Sequence, residues 1–141
     1  MDAASHPVPP PTAPEQVVES VRAERLVHGG HGLLRLPGGE VVLVPYALPD
    51  EPMTVAMAET GKRPRQGRVV AVQEPSPYRV QPVCDVFGTC GGCQWQHLAY
   101  PEQLRWKRAI VAESFTRLGK FRDPPVAEVA YARHPDGTPK A

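Results

Sequence analysis

Residues 33–44 read LLRLPGGEVVLV, two short apolar runs on either side of a Pro-Gly-Gly-Glu connection. Proline fixes its own φ, and glycine readily takes the positive φ that a tight chain reversal needs. Runs of Leu and Val separated by such a connection favour paired antiparallel strands. The segment therefore predicts a β-hairpin.

Further β-prone segments flank this hairpin. Residues 17–27 mix apolar and charged side chains and run into a glycine-rich turn, residues 53–58 alternate between two faces, and residues 68–72 form another short run after a polar, basic loop at 60–67. Short strands joined by glycine and proline predict a mainly β fold, a five-stranded OB-like barrel. An SH3-like barrel that binds no nucleic acid would give the same pattern.

A helix is predicted after the last cysteine. Pro101 and Glu102 suit a first helical turn, and Gly119 with Lys120 suits the end, so we predict a helix from about 101 to 118. Its apolar residues share one face and its basic residues spread around the remainder, which makes it amphipathic. The apolar set is Leu104, Val111, Phe115 and Leu118, and the basic set is Arg105, Lys107, Arg108 and Arg117.

The 141 residues divide unevenly in composition and charge. Many of the 18 prolines lie in residues 1–14, which we expect to form a disordered leader, and residues 123–141 form an unfinished or flexible tail. No signal peptide or membrane span is expected, so the protein is predicted to be cytoplasmic. Residues 1–60 carry three basic and eight acidic side chains, whereas residues 61–141 carry thirteen and seven. The second half can therefore offer a phosphate-binding face, or a solvated surface.

The strongest chemical signal is the set Cys84, Cys90 and Cys93, in the spacing C-x5-C-x2-C. An odd number of cysteines so close together suits a metal centre in a reducing compartment, because it cannot form a disulfide framework. A cubane iron–sulfur cluster normally needs four protein ligands, so one is missing from the chain. His97 could instead complete a Cys3His zinc site. Three thiols without a metal are the remaining alternative.

Together these residues resemble the S-adenosylmethionine-dependent RNA uracil-5-methyltransferases that carry a TRAM domain and a [4Fe-4S] cluster. The resemblance rests on residues 79–84 and 87–98, on Tyr100, Gln103, Leu104 and Lys107 after them, and on residues 29–32 and 44–49 upstream. It covers roughly residues 16–120. It implies that Cys84, Cys90 and Cys93 bind the cluster, that the fourth ligand lies outside this chain, and that His97 is not a ligand.

The resemblance also implies a division of the chain: a TRAM barrel at 15–78 that binds RNA, and the start of a central iron–sulfur domain at 79–122. No catalytic residue is assigned, because the S-adenosylmethionine fold, the cysteine nucleophile and the base of this family are not found in the chain. S-adenosylmethionine is therefore expected only through a separate or lost methyltransferase domain. Expected partners are that domain and ribosomal or transfer RNA, with neither DNA nor a membrane.

We assign RNA contacts to the basic loop residues Lys62, Arg63, Arg65 and Arg68, with Tyr46 or Tyr78 available to stack a base. The alternative is that these side chains are ordinary surface or packing residues. Two other functions stay open at this point. The chain could be a stand-alone RNA-binding module with a structural Cys3His zinc site, or a redox or iron-handling protein.

Overall fold

The computed structural model describes residues 15–58, 64–131 and 133–137. These residues fall into two compact units, one ending at His97 and one beginning at Leu98. The first is a curled β-sheet followed by the cysteines, and the second contains one helix. The elements of the described residues are β1 Glu15–Val21, β2 Ala23–Leu26, β3 Gly32–Arg35, β4 Val41–Val44, β5 Met53–Ala58, β6 Arg65–Val72 and α1 Tyr100–Arg117.

The sheet has the strand order β1-β5-β6-β4-β3-β2. Its two edge strands, β1 and β2, are separated in the chain by Arg22 alone, so they form one bent strand that borders both edges. The register of β1 against β5 shifts between Val18 and Val21, and Ser20 has a φ of 53°, which marks the bend. The prediction of a small mainly β barrel is confirmed, and six strands appear instead of five because the first predicted strand is divided.

The predicted hairpin forms at the expected residues. The amide of Leu36 donates to the carbonyl of Glu40, and the amide of Gly39 donates to the carbonyl of Leu36, both at 2.9 Å. Gly38 and Gly39 have φ values of 95° and 86°, which side chains rarely tolerate. Strand β4 also pairs in parallel with β6, which connects the hairpin to the other side of the barrel.

Residues from four strands fill the inside of the barrel. Strand β5 contributes Met53, Val55 and Met57, which are at most 1% exposed and alternate along the strand as predicted. Side chains from both hairpin strands, from β2 and from the segment after β4 close the same core. Its buried members are Ala23, Leu34, Leu36, Val42, Val44, Ala47, Met53, Val55 and Met57.

Strand β6 begins three residues earlier than the predicted 68–72, so Arg65 lies in a strand and not in the basic loop. Arg65 pairs with Val42 of β4 in the ladder. The leader 1–14, Lys62 and Arg63 of the loop, and residues 138–141 of the tail lie outside the described residues. Within the described part, no helix has the length and apolar character needed to cross a bilayer.

Helix α1 agrees with the prediction to within one residue at each end. Proline occupies its first turn beside Glu102, and Arg117 lies in the last turn, where a cation interacts favourably with the helix dipole. None of its residues is buried among those that the structure describes. The predicted apolar face is therefore partly solvent-exposed, with Val111 at 44% and Phe115 at 47%.

Candidate metal centre

The cysteine segment, residues 84–93, is a series of tight turns that follows the barrel. The amide of Phe87 donates to the carbonyl of Cys84 at 3.1 Å, and the amide of Cys90 donates to the carbonyl of Val86 at 3.0 Å. Gly88 and Gly91 take φ values of 86° and 76°, a conformation that glycine adopts readily and that allows the chain to turn tightly between the thiols. Cys84 is half-buried, and Cys90 and Cys93 are exposed.

All three thiols are free. The donor set suits an iron–sulfur cluster or zinc, because both metals prefer thiolate sulfur. Among the described residues, however, no three His, Cys, Asp or Glu side chains converge closely enough to hold one metal ion. The chemistry of the segment therefore fits a soft metal, and the thiols have to move toward one another to bind it.

An aromatic cluster of Tyr46, Phe87 and His97 holds the cysteine segment against the end of the barrel. The ring centroids of Tyr46 and Phe87 are 5.2 Å apart in an edge-to-face arrangement, and those of Phe87 and His97 are 5.5 Å apart. Phe87 is 3% exposed and His97 is 2% exposed. Such pairs add to the hydrophobic stabilisation of burial. In this structure the ring of His97 therefore packs against Tyr46 and Phe87.

An ion pair between Glu51 and Arg79 fixes the chain just before the cysteines. Arg79 donates from Nε and Nη2 to the two carboxylate oxygens of Glu51, both at 2.6 Å, and Glu51 is fully buried. The amide of Ser76 also donates to the carboxylate at 3.0 Å, and Arg79 reaches the carbonyl of Tyr46 at 2.9 Å. This bidentate pair joins the segment after β6 to the loop between β4 and β5.

A third connection links the end of the cysteine segment to the turn between β2 and β3. The indole Nε1 of Trp95 donates to the carbonyl of Gly30 at 3.0 Å. The amide of Cys84 donates to the side-chain oxygen of Gln96 at 3.2 Å, so the two ends of the segment are joined as well. Because these contacts reach separate parts of the barrel, the barrel fixes where the segment that carries the thiols begins and ends.

Gly30 gives a direct test of the Trp95 contact. A Cβ at this position would lie 2.8 Å from the Cβ of Gln94 and 2.9 Å from Nε1 of Trp95, and φ is +84°. We expect Gly30→Ala to lower the free energy of unfolding by more than the roughly 1–3 kcal/mol of left-handed strain alone. Gly38→Ala is the matched control for a urea titration, because its φ is +95° and nothing lies within 4 Å of the added Cβ. Equal losses in the two variants would contradict the contact.

The structure places the predicted RNA-binding residues as follows. Arg65 donates to both carboxylate oxygens of Glu40, at 2.8 and 2.6 Å, and this bonding raises the pKa of Arg65. Arg68 is paired with Glu15 at 2.7 Å. Both arginines therefore share their charge with a carboxylate, while Lys62 and Arg63 fall outside the described residues.

Of the two tyrosines considered for base stacking, Tyr46 is part of the aromatic cluster and Tyr78 is 46% exposed. Tyr78 is therefore the better placed to stack on a base. Sequence reasoning missed the role of Glu51, which lies between Asp50 and Pro52 and has no local partner that the sequence would reveal. It also missed the connection between Trp95 and Gly30, which are 65 residues apart.

Comparison with known proteins identifies relatives for most of the chain. No family model matches it. The chain is 38% identical over 101 residues to an uncharacterized RNA methyltransferase of Thermotoga maritima, covering 72% of the chain and 23% of the relative. It is 34% identical over 131 residues to another from Gloeobacter violaceus, covering 93% of the chain and 29% of the relative.

A third relative carries a specific activity in its name. It is the 23S rRNA (uracil(1939)-C(5))-methyltransferase RlmD of Chromohalobacter salexigens, 40% identical over 105 residues that cover 74% of the chain and 22% of the relative. The chain thus spans less than a third of the length of each of these relatives. Over most of its length the chain is therefore similar to proteins named RNA methyltransferases, one of which is a 23S rRNA uracil-C5 methyltransferase.

Proposed function

We propose that this chain is the N-terminal, RNA-binding and iron–sulfur portion of an S-adenosylmethionine-dependent RNA (uracil-5-)-methyltransferase that modifies ribosomal or transfer RNA. The observation that carries the proposal is the attachment of the cysteine segment to the barrel through Arg79, Phe87, Trp95 and His97. All four belong to the stretch on which the family resemblance rests. Their contacts hold the segment that carries the three thiols against an OB-like barrel.

Cys84, Cys90 and Cys93 are the cluster ligands in this proposal, and the fourth ligand comes from outside the chain. Gly91 and Gly92 lie between two of the thiols, where residues without side chains let backbone amides approach cluster sulfides. When bound, a [4Fe-4S] cluster would cross-link the turns of the segment through three Fe–S bonds. The chain's own contribution is the position of the segment, which the aromatic cluster and the Glu51 pair maintain.

RNA binding in this proposal uses two of the loops that connect the strands of the barrel. In OB-like barrels, the connections between the first and second strands and between the fourth and fifth strands border the oligonucleotide site. When β1 and β2 are counted as one bent strand, those connections are the turn at 27–31 between β2 and β3 and the loop between β5 and β6 that contains Lys62 and Arg63. Lys62 and Arg63 would contact phosphates, with Arg65 and Arg68 at the base of the loop, and Tyr78 would stack on a base.

Methyl transfer itself is assigned to the remainder of the enzyme, which supplies the S-adenosylmethionine site, the nucleophile and the base. The chain then acts as the part that recognises RNA and positions it. Uracil in RNA is the substrate in this proposal, because the Chromohalobacter salexigens relative is a 23S rRNA uracil-C5 methyltransferase. A cytoplasmic location accords with this role and with three reduced thiols.

A chimera tests this function. The matched region of the Chromohalobacter salexigens relative is replaced by the corresponding region of this chain, with which it shares 40% identity over 105 residues. Because the barrel and cysteine segment are expected to perform the same task in both proteins, the chimera should form 5-methyluridine in 23S rRNA. Mass spectrometry of nucleosides from a strain lacking the native enzyme measures the product.

The matched control is the relative with the same region deleted, which should form no 5-methyluridine. A folded chimera that binds S-adenosylmethionine and gives as little product as the deletion would contradict the proposal. Restoration by a chimera that carries Ser at all three cysteines would contradict the cluster assignment while leaving the RNA-binding role in place.

A further inference from the structure

The basic side chains of the helical unit form a denser group than those of the barrel. Between Arg105 and Arg122 the sequence has six basic residues and one acidic residue, Glu113. The described part of the β unit, residues 15–58 and 64–97, has six basic and eight acidic residues. The helical unit is therefore the more favourable of the two for a polyanion.

The ion pairs of the arginines also make the helical unit more favourable for a polyanion than the β unit. Four arginines of the β unit each face a carboxylate, so each pair is close to neutral when seen by a phosphate. These pairs are Arg35 with Glu24, Arg65 with Glu40, Arg68 with Glu15 and Arg79 with Glu51. An arginine that instead donates to a backbone carbonyl keeps its full positive charge.

A groove of 490 Å³ lies between one face of α1 and residues 122–126, and three arginines line it. Arg108 donates from Nε to the carbonyl of Val126 at 2.9 Å, which holds its guanidinium at the groove without removing its charge. Arg122 is exposed, and Arg105 is paired with Glu102 at 2.7 Å while its guanidinium lies 4.7 Å from the ring centre of Trp106. Ala109 and Ala112 also line the groove, and their small side chains leave its floor open.

Two carboxylates also line this groove and reduce its net charge. Glu113 is 3.5 Å from Arg117, so it is partly compensated from outside the groove, and Asp123 is exposed. Within the described residues no carboxylate forms an ion pair with Arg108 or Arg122. The exposed Lys107 and Lys120 add positive charge to the same unit.

We propose that this groove, with Arg108 and Arg122 as its contacts, binds phosphates of the RNA backbone. The inference rests on the proposed function for the identity of the polyanion, and it adds a second RNA-binding surface beyond the barrel loops. Guanidinium groups suit the task because their planar arrangement of donors matches phosphate oxygens. Contacts to phosphates position the RNA and carry no sequence information of their own.

The salt dependence of RNA affinity tests the groove. For single strands, each phosphate contact contributes about 0.7 to the slope of log K against log salt concentration. The variant R108Q/R122Q of the full chain should therefore make this slope shallower by roughly 1.4. The probe is a fluorescein-labelled oligouridine, titrated by anisotropy at several KCl concentrations. Arg122→Gln alone should make the slope shallower by about 0.7, and it leaves the Arg108 contact intact.

The control variant R22Q/R133Q removes the same number of positive charges from exposed positions outside the groove, at two arginines that also donate to backbone carbonyls. We expect this control to keep the wild-type slope. An unchanged slope in R108Q/R122Q and in Arg122→Gln, or an equal change in the control, would overturn the groove as a site. Both results can be obtained only if the wild-type chain binds the RNA, so neither of them contradicts the proposed function. A wild-type chain with no affinity for the RNA would instead refute both proposals.

Discussion

Replacing Glu51 by Ala is expected to lower the free energy of unfolding by about 3–5 kcal/mol, because it leaves the Arg79 guanidinium without its bidentate partner. Glu51 is fully buried and accepts from Arg79 Nε and Nη2 and from the amide of Ser76. Its loss removes three hydrogen bonds at the point where the chain leaves the barrel. Urea denaturation followed by circular dichroism measures the change.

Glu24→Ala is the control for this experiment. Glu24 pairs with Arg35 at 3.0 Å, but both side chains are nearly half exposed, so the expected loss is at most about 1 kcal/mol. In the double variant E51L/R79M no buried charge remains, and it should be more stable than Glu51→Ala. A loss with Glu51→Ala no greater than that with Glu24→Ala would show that the buried pair does not hold the segment.

Two substitutions, one within the cysteine segment and one beside it, are expected to have opposite effects on metal retention. Cys90→Ser is expected to abolish iron binding, since a three-ligand set that loses one thiolate cannot hold a cluster. His97→Phe is expected to keep the iron, because the ring of His97 packs against Tyr46 and Phe87 and Phe retains an aromatic ring there. Iron content after anaerobic reconstitution measures both.

The same pair of variants tests the zinc alternative. In a Cys3His site the imidazole is a ligand, so His97→Phe would lose the metal as completely as Cys90→Ser. Cys90 is exposed, so its replacement should leave the unfolding transition of the metal-free chain unchanged. This last measurement separates loss of a ligand from loss of the fold.

The elements predicted well are those whose signals are local. The hairpin at 33–44 follows from its Pro-Gly-Gly connection, and α1 follows from Pro101 at its start and Gly119 after its end. The alternation of Met53, Val55 and Met57 identified the buried face of β5. Each of these signals depends on residues within one or two turns of chain, where propensity and periodicity act directly.

Features that depend on distant pairing could not be predicted. The division of residues 17–27 into β1 and β2 arises because its two halves pair with β5 and β3 at opposite edges of the sheet. Strand β6 extends back to Arg65 because β4 supplies a parallel partner there. In both cases tertiary pairing overrides the local sequence.

The site shows the same limit. The three thiols were recognisable from their spacing, whereas their support depends on contacts across 28 residues for Glu51 with Arg79 and 65 residues for Gly30 with Trp95. Nothing in the sequence near Glu51 shows that it is buried. The glycine at position 30 indicated a turn, but the close approach of Trp95 follows only from the fold.

The most direct test of the central claim is the iron, acid-labile sulfide and zinc content of the chain, purified and reconstituted without oxygen. We expect iron and sulfide in equal amounts, with the broad visible absorbance of an iron–sulfur cluster, on Cys84, Cys90 and Cys93. Zinc near one per chain without sulfide would contradict the claim and identify a structural zinc site instead.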